Sequence, residues 1–216
     1  MPLPIQTLAR LIVGICCLTA TCQGSSASEP IRIVALGDSL TAGPGLAADS
    51  AFPARLEATL QARGHSVSVV DAGVSGDTAR DGLARLDWSV GDDADAVIVE
   101  LGANDALRGT DPAITREALD AILQRLSERD LPVLIAGMLA PPNLGDAYAA
   151  AFNPIYTDLA EKHGADLYPF FLDGVAGDPR FNLEDGIHPN ADGVAIIVER
   201  ILPAVEAVIA RVDESR

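Results

Sequence analysis

Cysteine is missing from the chain after position 22; the three present are Cys16, Cys17 and Cys22. Once the N-terminal segment that carries them is removed, no disulfide, thiolate metal ligand or cysteine nucleophile remains. Histidine is almost as scarce, and of His65, His163 and His188 only the last stands beside other candidate reactive groups. No metal and no cofactor is therefore expected. Positive charge is short as well: 15 Lys and Arg face 31 Asp and Glu, a formal net charge of -16. Nucleic acid is excluded as a natural partner, and so is electrostatic docking on anionic lipid, although a neutral or zwitterionic lipid remains compatible. Aromatic residues make up 4% with a single tryptophan, Trp88, which leaves little material for stacking on sugar rings. The stretch Gly37 to Gly45 lacks the lysine of a phosphate-binding P-loop. The apolar run Leu11 to Ala20 is too short to span a bilayer, so no stable membrane insertion is expected.

That short run has another reading. Arg10 precedes it and Ser25-Ser26-Ala27 follows with small residues, the pattern of a secretory signal peptide over residues 1–27 cut after Ala27. Export to the periplasm or outside the cell follows, with one domain over residues 28–216. Lipid attachment at Cys22 is the lesser alternative, because Leu18 stands one place too far from it.

The remaining chain alternates short apolar runs with helical patterns. Ile31 to Leu36, Val67 to Val70, Ala96 to Leu101, Pro132 to Met138 and Asp166 to Phe170 read as strands of a buried parallel sheet. Helices are expected over Phe52 to Arg63, from near Thr78, around Ile114 to Leu126, over Ala147 to Lys162 and over Asp192 to Ile209. This is an α/β chain with a doubly wound sheet.

Three of the strands run directly into polar, glycine-containing segments. Gly37-Asp38-Ser39-Leu40 delivers a serine behind the first, Gly73-Val74-Ser75-Gly76-Asp77-Thr78 follows the second, and Gly102-Ala103-Asn104-Asp105 follows the third. In a parallel sheet these positions share one rim, where ligands bind. Much later, Asp185-Gly186-Ile187-His188-Pro189-Asn190 offers a carboxylate and an imidazole three residues apart. A serine hydroxyl needs a base of near-neutral pKa, and imidazole supplies one. A carboxylate on the other ring nitrogen fixes the tautomer. Ser39, His188 and Asp185 are thus candidates for nucleophile, base and orienting acid. An oxyanion needs fixed donors, for which the Gly76 backbone and the Asn104 side chain are candidates. Each segment also has an ordinary reading: Asp38-Ser39 as a helix cap, Asn104-Asp105 and Asp185 to Asn190 as turns. Four such coincidences in this order are harder to accept than one catalytic site. His65 and His163, each beside a glycine, read as favourable charges near helix C-termini.

These blocks resemble, in order, those of the SGNH hydrolases of the GDSL family, and within it the bacterial thioesterase I, arylesterase and lysophospholipase group. The resemblance implies a three-layer α/β/α sandwich on a five-stranded, flavodoxin-like parallel sheet. It also implies an oxyanion hole made by the Ser39 and Gly76 amides and the Asn104 side chain. The loops Ala106 to Thr110 and Leu139 to Tyr148 should shape an acyl pocket. Leu107, Met138 and Leu139 are candidates for acyl contact, and Arg108 for a hydrogen bond at the rim. The expected substrate is a small acyl ester or lipid, with thioesters and lysophospholipids included. A carbohydrate O-acetyl esterase and a non-catalytic binding module on the same fold are the alternatives, and the oligomeric state is left open.

Overall fold

The computed structural model describes Met1 and residues 29–216; the predicted cleavage point after Ala27 and the three cysteines lie outside the described residues. Five strands, β1 (Ile31–Gly37), β2 (Val67–Gly73), β3 (Ala96–Glu100), β4 (Val133–Ala136) and β5 (Asp166–Tyr168), form one sheet in the order β2-β1-β3-β4-β5. Every neighbouring pair is parallel. The central strands are buried along nearly their whole length, which is why each reads as an unbroken apolar run rather than an alternation.

The chain winds outward from β1 to β2, then returns to the other side of β1 for β3. Gly37 is paired with both Gly73 and Glu100. The three strands therefore end level, at the switch point where a doubly wound sheet opens a crevice.

Helices cover both faces. The first six are α1 (Ser39–Ala42), α2 (Phe52–Ala62), α3 (Ala79–Ala84), α4 (Leu86–Ser89), α5 (Ala103–Leu107) and α6 (Pro112–Ser127); α7 (Asp146–Phe152), α8 (Ile155–His163) and α9 (Ala191–Ser215) follow. α2 packs with α9, and α6 packs with α3 and α8. α6 starts at Pro112 under an Asp111 side chain that accepts from the Ala113 N–H, and buries Ala118, Leu119, Ile122, Leu123 and Leu126 on one stripe. In α9 the spacing Val194, Ile197, Val198, Ile201, Leu202, Val205 repeats the same logic over 25 residues.

One expectation changes. The single helix over Ala147 to Lys162 is two helices divided at Asn153-Pro154: proline has no N–H to continue the ladder. The Asn153 side chain instead accepts from the Ala140 N–H at 2.8 Å, tying down the loop after β4. The short helices α1, α4 and α5 carry too few residues to show a period in sequence, yet α1 and α5 present the residues that matter below.

Candidate active site

Ser39 is the first residue of α1. Asp38 caps that helix, its Oδ1 accepting from the Leu40 N–H at 2.9 Å. The capping role suggested by sequence is thus real, and it belongs to the aspartate. At Gly37 a Cβ would lie 2.0 Å from Thr41 Oγ1, so the turn from β1 into α1 has no room for a side chain there.

The loop before α9 brings the imidazole to the serine. His188 Nε2 lies 2.9 Å from Ser39 Oγ, and Nδ1 lies 2.6 Å from Asp185 Oδ2. Asp185 Oδ1 accepts from the Ile187 and His188 N–H groups at 2.9 and 3.0 Å, closing a turn in which Gly186 takes φ +71°. These bonds, the imidazole's first, hold the Asp185 carboxyl down to about 2. The carboxylate is thereby ionised at any pH where it would be asked to orient the ring. Asn190 caps α9 by accepting from the Asp192 and Gly193 N–H groups, which anchors the far end of the loop.

Gly76 occupies the third position of a turn closed by the Asp77 N–H on the Val74 carbonyl at 3.1 Å, with φ +90°, a conformation that favours glycine. Neither the Ser39 nor the Gly76 N–H donates to any acceptor among the described residues. Asn104, on α5, donates from Nδ2 to Asp38 Oδ2 at 2.9 Å and to the Asp77 carbonyl at 3.1 Å. Its amide nitrogen is thereby turned towards the serine and glycine blocks.

A cavity of about 670 Å³ opens beside Ser39, Asn104 and His188, with Leu40, Phe170, Leu172 and Ile187 among its apolar walls. Leu107, Met138 and Leu139 line it as the sequence suggested. Met138 is otherwise buried in the core, whereas Leu107 and Leu139 are half exposed at the mouth. Arg108 does not line the cavity; its Nη2 donates to the Gly76 carbonyl at 2.8 Å. Its guanidinium is thus tied to the glycine turn rather than free at the cavity wall.

Residues 35–196 match the sequence model of the GDSL-like lipase/acylhydrolase family. The chain belongs to this family. It is 35% identical over 184 residues to an arylesterase of Vibrio mimicus, covering 85% of this chain and 90% of that one. It is 40% identical over 168 residues to thioesterase 1/protease 1/lysophospholipase L1 of Escherichia coli K12, covering 77% and 79% of the two chains. Among solved structures, AlinE4, an SGNH-hydrolase family esterase, superposes with a TM-score of 0.71 at 45% identity, covering 84% of this chain and 98% of that one.

In this GDSL-family chain, three buried acids near the site were not evident from sequence. Asp105 accepts from the Ala79 N–H at 2.8 Å and from Thr115 Oγ1 at 3.0 Å, locking α5 to α3 and α6. Glu100, fully buried at the end of β3, accepts from Thr41 Oγ1 at 2.7 Å and from the Asp38 N–H at 3.3 Å. Burial, and then the Asp38 charge, push its carboxyl well above the ordinary value. Burial likewise raises Asp38 from 3.8 to about 6, opposed by the bonds from Leu40 and Asn104. Most of the contacts that bury them join residues 26 to 66 positions apart.

The Asp38 shift has a pH consequence. A carboxyl raised in the fold favours folding fully below its ordinary value, and that contribution is lost as pH rises through about 6. Two pKa units correspond to about 3 kcal/mol. Urea unfolding of wild type and Asp38→Asn across this window is expected to show wild type losing stability relative to the variant, by an amount of that order. A pH-independent difference would contradict a buried, titrating Asp38.

His65 and His163 stand apart from the site on acids of their own, at 3.4 Å from Glu206 and 2.6 Å from Asp120 respectively. His163 ends α8, where a helix C-terminus favours positive charge. Among the described residues no group of three His, Cys, Asp or Glu side chains is placed to hold a metal ion, and no helix is long and apolar enough to cross a membrane.

Proposed function

We propose that this acylhydrolase is an exported serine esterase that cleaves carboxylic acyl esters through an acyl-serine intermediate, with acyl thioesters and lysophospholipids within its chemical range. The observation that carries the reading is the unbroken hydrogen-bonded series Ser39, His188, Asp185 at the edge of an apolar cavity. In the cycle, Ser39 Oγ attacks the acyl carbonyl as His188 Nε2 takes its proton. The oxyanion is met by the Ser39 and Gly76 N–H groups and the Asn104 amide. Collapse expels the alkoxide or thiolate, which leaves with the proton from His188. Water, deprotonated by the same imidazole, then attacks the acyl-serine and releases the acid.

Leu40, Leu107, Leu139, Phe170, Leu172 and Ile187 give the acyl chain an apolar lining of a size suited to more than an acetyl group. That supports acyl esters over carbohydrate acetates. The arylesterase and thioesterase names of the relatives support the same substrate class. Export rests on the leader pattern at residues 1–27.

The test is hydrolysis of p-nitrophenyl esters of increasing acyl length by the mature chain, with Ser39→Ala as control. Serine-dependent turnover with kcat/KM rising beyond acetate is expected. A preference confined to acetate would overturn the acyl assignment, and no turnover above the control would favour a binding module.

A further inference from the structure

Arg85 stands between α3 and α4, outside the cavity lining, with 16% of its side chain exposed. Its guanidinium is used in every direction. Nε donates to Asp77 Oδ2 at 2.6 Å, Nη1 to the Ala72 carbonyl at 2.9 Å and to Ser89 Oγ at 2.8 Å, and Nη2 to the Gly37 carbonyl at 2.8 Å.

Three of these acceptors belong to the segments that carry the oxyanion donors. Gly37 lies two residues before Ser39, at the last residue of β1. Ala72 lies near the end of β2, where the chain leaves for the glycine turn. Asp77 follows Gly76 directly, and its own carbonyl is the acceptor that holds the Asn104 amide at 3.1 Å. One planar, always-charged fork therefore spans the ends of two strands and, through Asp77, reaches the third. The Val74 N–H shares the Gly37 carbonyl at 3.0 Å, which makes the junction between the serine and glycine blocks common to both. The Arg108 guanidinium, by contrast, bonds only the Gly76 carbonyl among the described residues.

We propose that Arg85 is a positioning residue for the reaction: by bonding Gly37, Ala72 and Asp77 at once, it sets the spacing between the Ser39 N–H, the Gly76 N–H and the Asn104 amide. The proposal rests on the serine-esterase reading above. It acts on the transition state, because donors that shift relative to one another lose the developing oxyanion while the acyl cavity stays as it was.

Arg85→Lys retains the charge beside Asp77 but cannot reach the acceptors together. The double variant Asp77→Asn/Arg85→Met removes the ion pair as a unit, so that no unpaired buried charge opposes folding. Both are assayed beside wild type and Ser39→Ala on one p-nitrophenyl ester, with circular dichroism reporting the folded fraction at the assay temperature. The expected result is a fall in kcat of about tenfold to a hundredfold in folded Arg85→Lys, with KM within about twofold, since small misplacements act on the chemical step. The double variant should fall at least as far. Unchanged kcat in either folded variant, or a loss that merely follows the unfolded fraction, overturns the role of Arg85 and leaves the esterase intact. Absence of Ser39-dependent turnover in wild type overturns both.

Discussion

Ser39→Ala and His188→Ala should each lower kcat by on the order of 10⁵- to 10⁶-fold, and the double variant should be scarcely worse than either alone. The hydroxyl is a useful nucleophile only while a base takes its proton, and the base has nothing to take without the hydroxyl. The 2.9 Å contact between His188 Nε2 and Ser39 Oγ makes them one unit. Losses that multiply in the double variant would mean the two act independently. Asp185 stands differently: it receives no proton in the cycle, holding the ring through Nδ1 at 2.6 Å from a half-exposed position. Water reaches that side of the ring and can replace part of what the carboxylate does. Steady-state kinetics on the three variants, with thermal unfolding to confirm the fold, checks the prediction.

The second large effect belongs to Asn104. Asn104→Ala is expected to lower kcat by about 10²- to 10³-fold while KM changes little, the pattern for a donor used only in the transition state. The structure adds a condition to this. Both hydrogens of Nδ2 are directed at Asp38 Oδ2 and the Asp77 carbonyl, so the oxyanion must take the place of one acceptor. The exchange becomes favourable as negative charge builds on the substrate oxygen, and the acceptor kept meanwhile prevents the amide from turning its oxygen inward. A rise in KM with unchanged kcat would instead assign Asn104 to ground-state binding.

Much of this architecture is legible in the sequence for a definite reason. Strands buried on both faces, such as Ile31–Gly37 and Ala96–Glu100, show as apolar runs that end in glycine-containing turns. Each reactive segment follows such a run directly, so the sheet's topology brings Ser39, Gly76 and Asn104 to one rim without any knowledge of side-chain contacts. The Asp185 and His188 pair is local and needs only one turn. What was not legible depends on contacts distant in sequence or on single backbone events. Glu100 beneath Asp38, the Asp105 lock on α3 and α6, and the fork of Arg85 each join separate elements. Arg108 illustrates the limit from the other side: its place near the rim could be read, but not the carbonyl of Gly76 as the group that would claim it. The break at Pro154 was available in the sequence, yet the apolar periodicity running through it masked the missing N–H.

In the proposed cycle Ser39 becomes covalently attached to the acyl group. The most direct test is to treat the protein with a p-nitrophenyl alkylphosphonate, which leaves a stable tetrahedral adduct on an activated serine, and to locate the added mass by peptide mapping. One adduct per chain is expected, on the peptide containing Ser39, with activity lost in step and labelling greatly slowed in His188→Ala. Loss of activity without an adduct, or an adduct on any other residue, would contradict it.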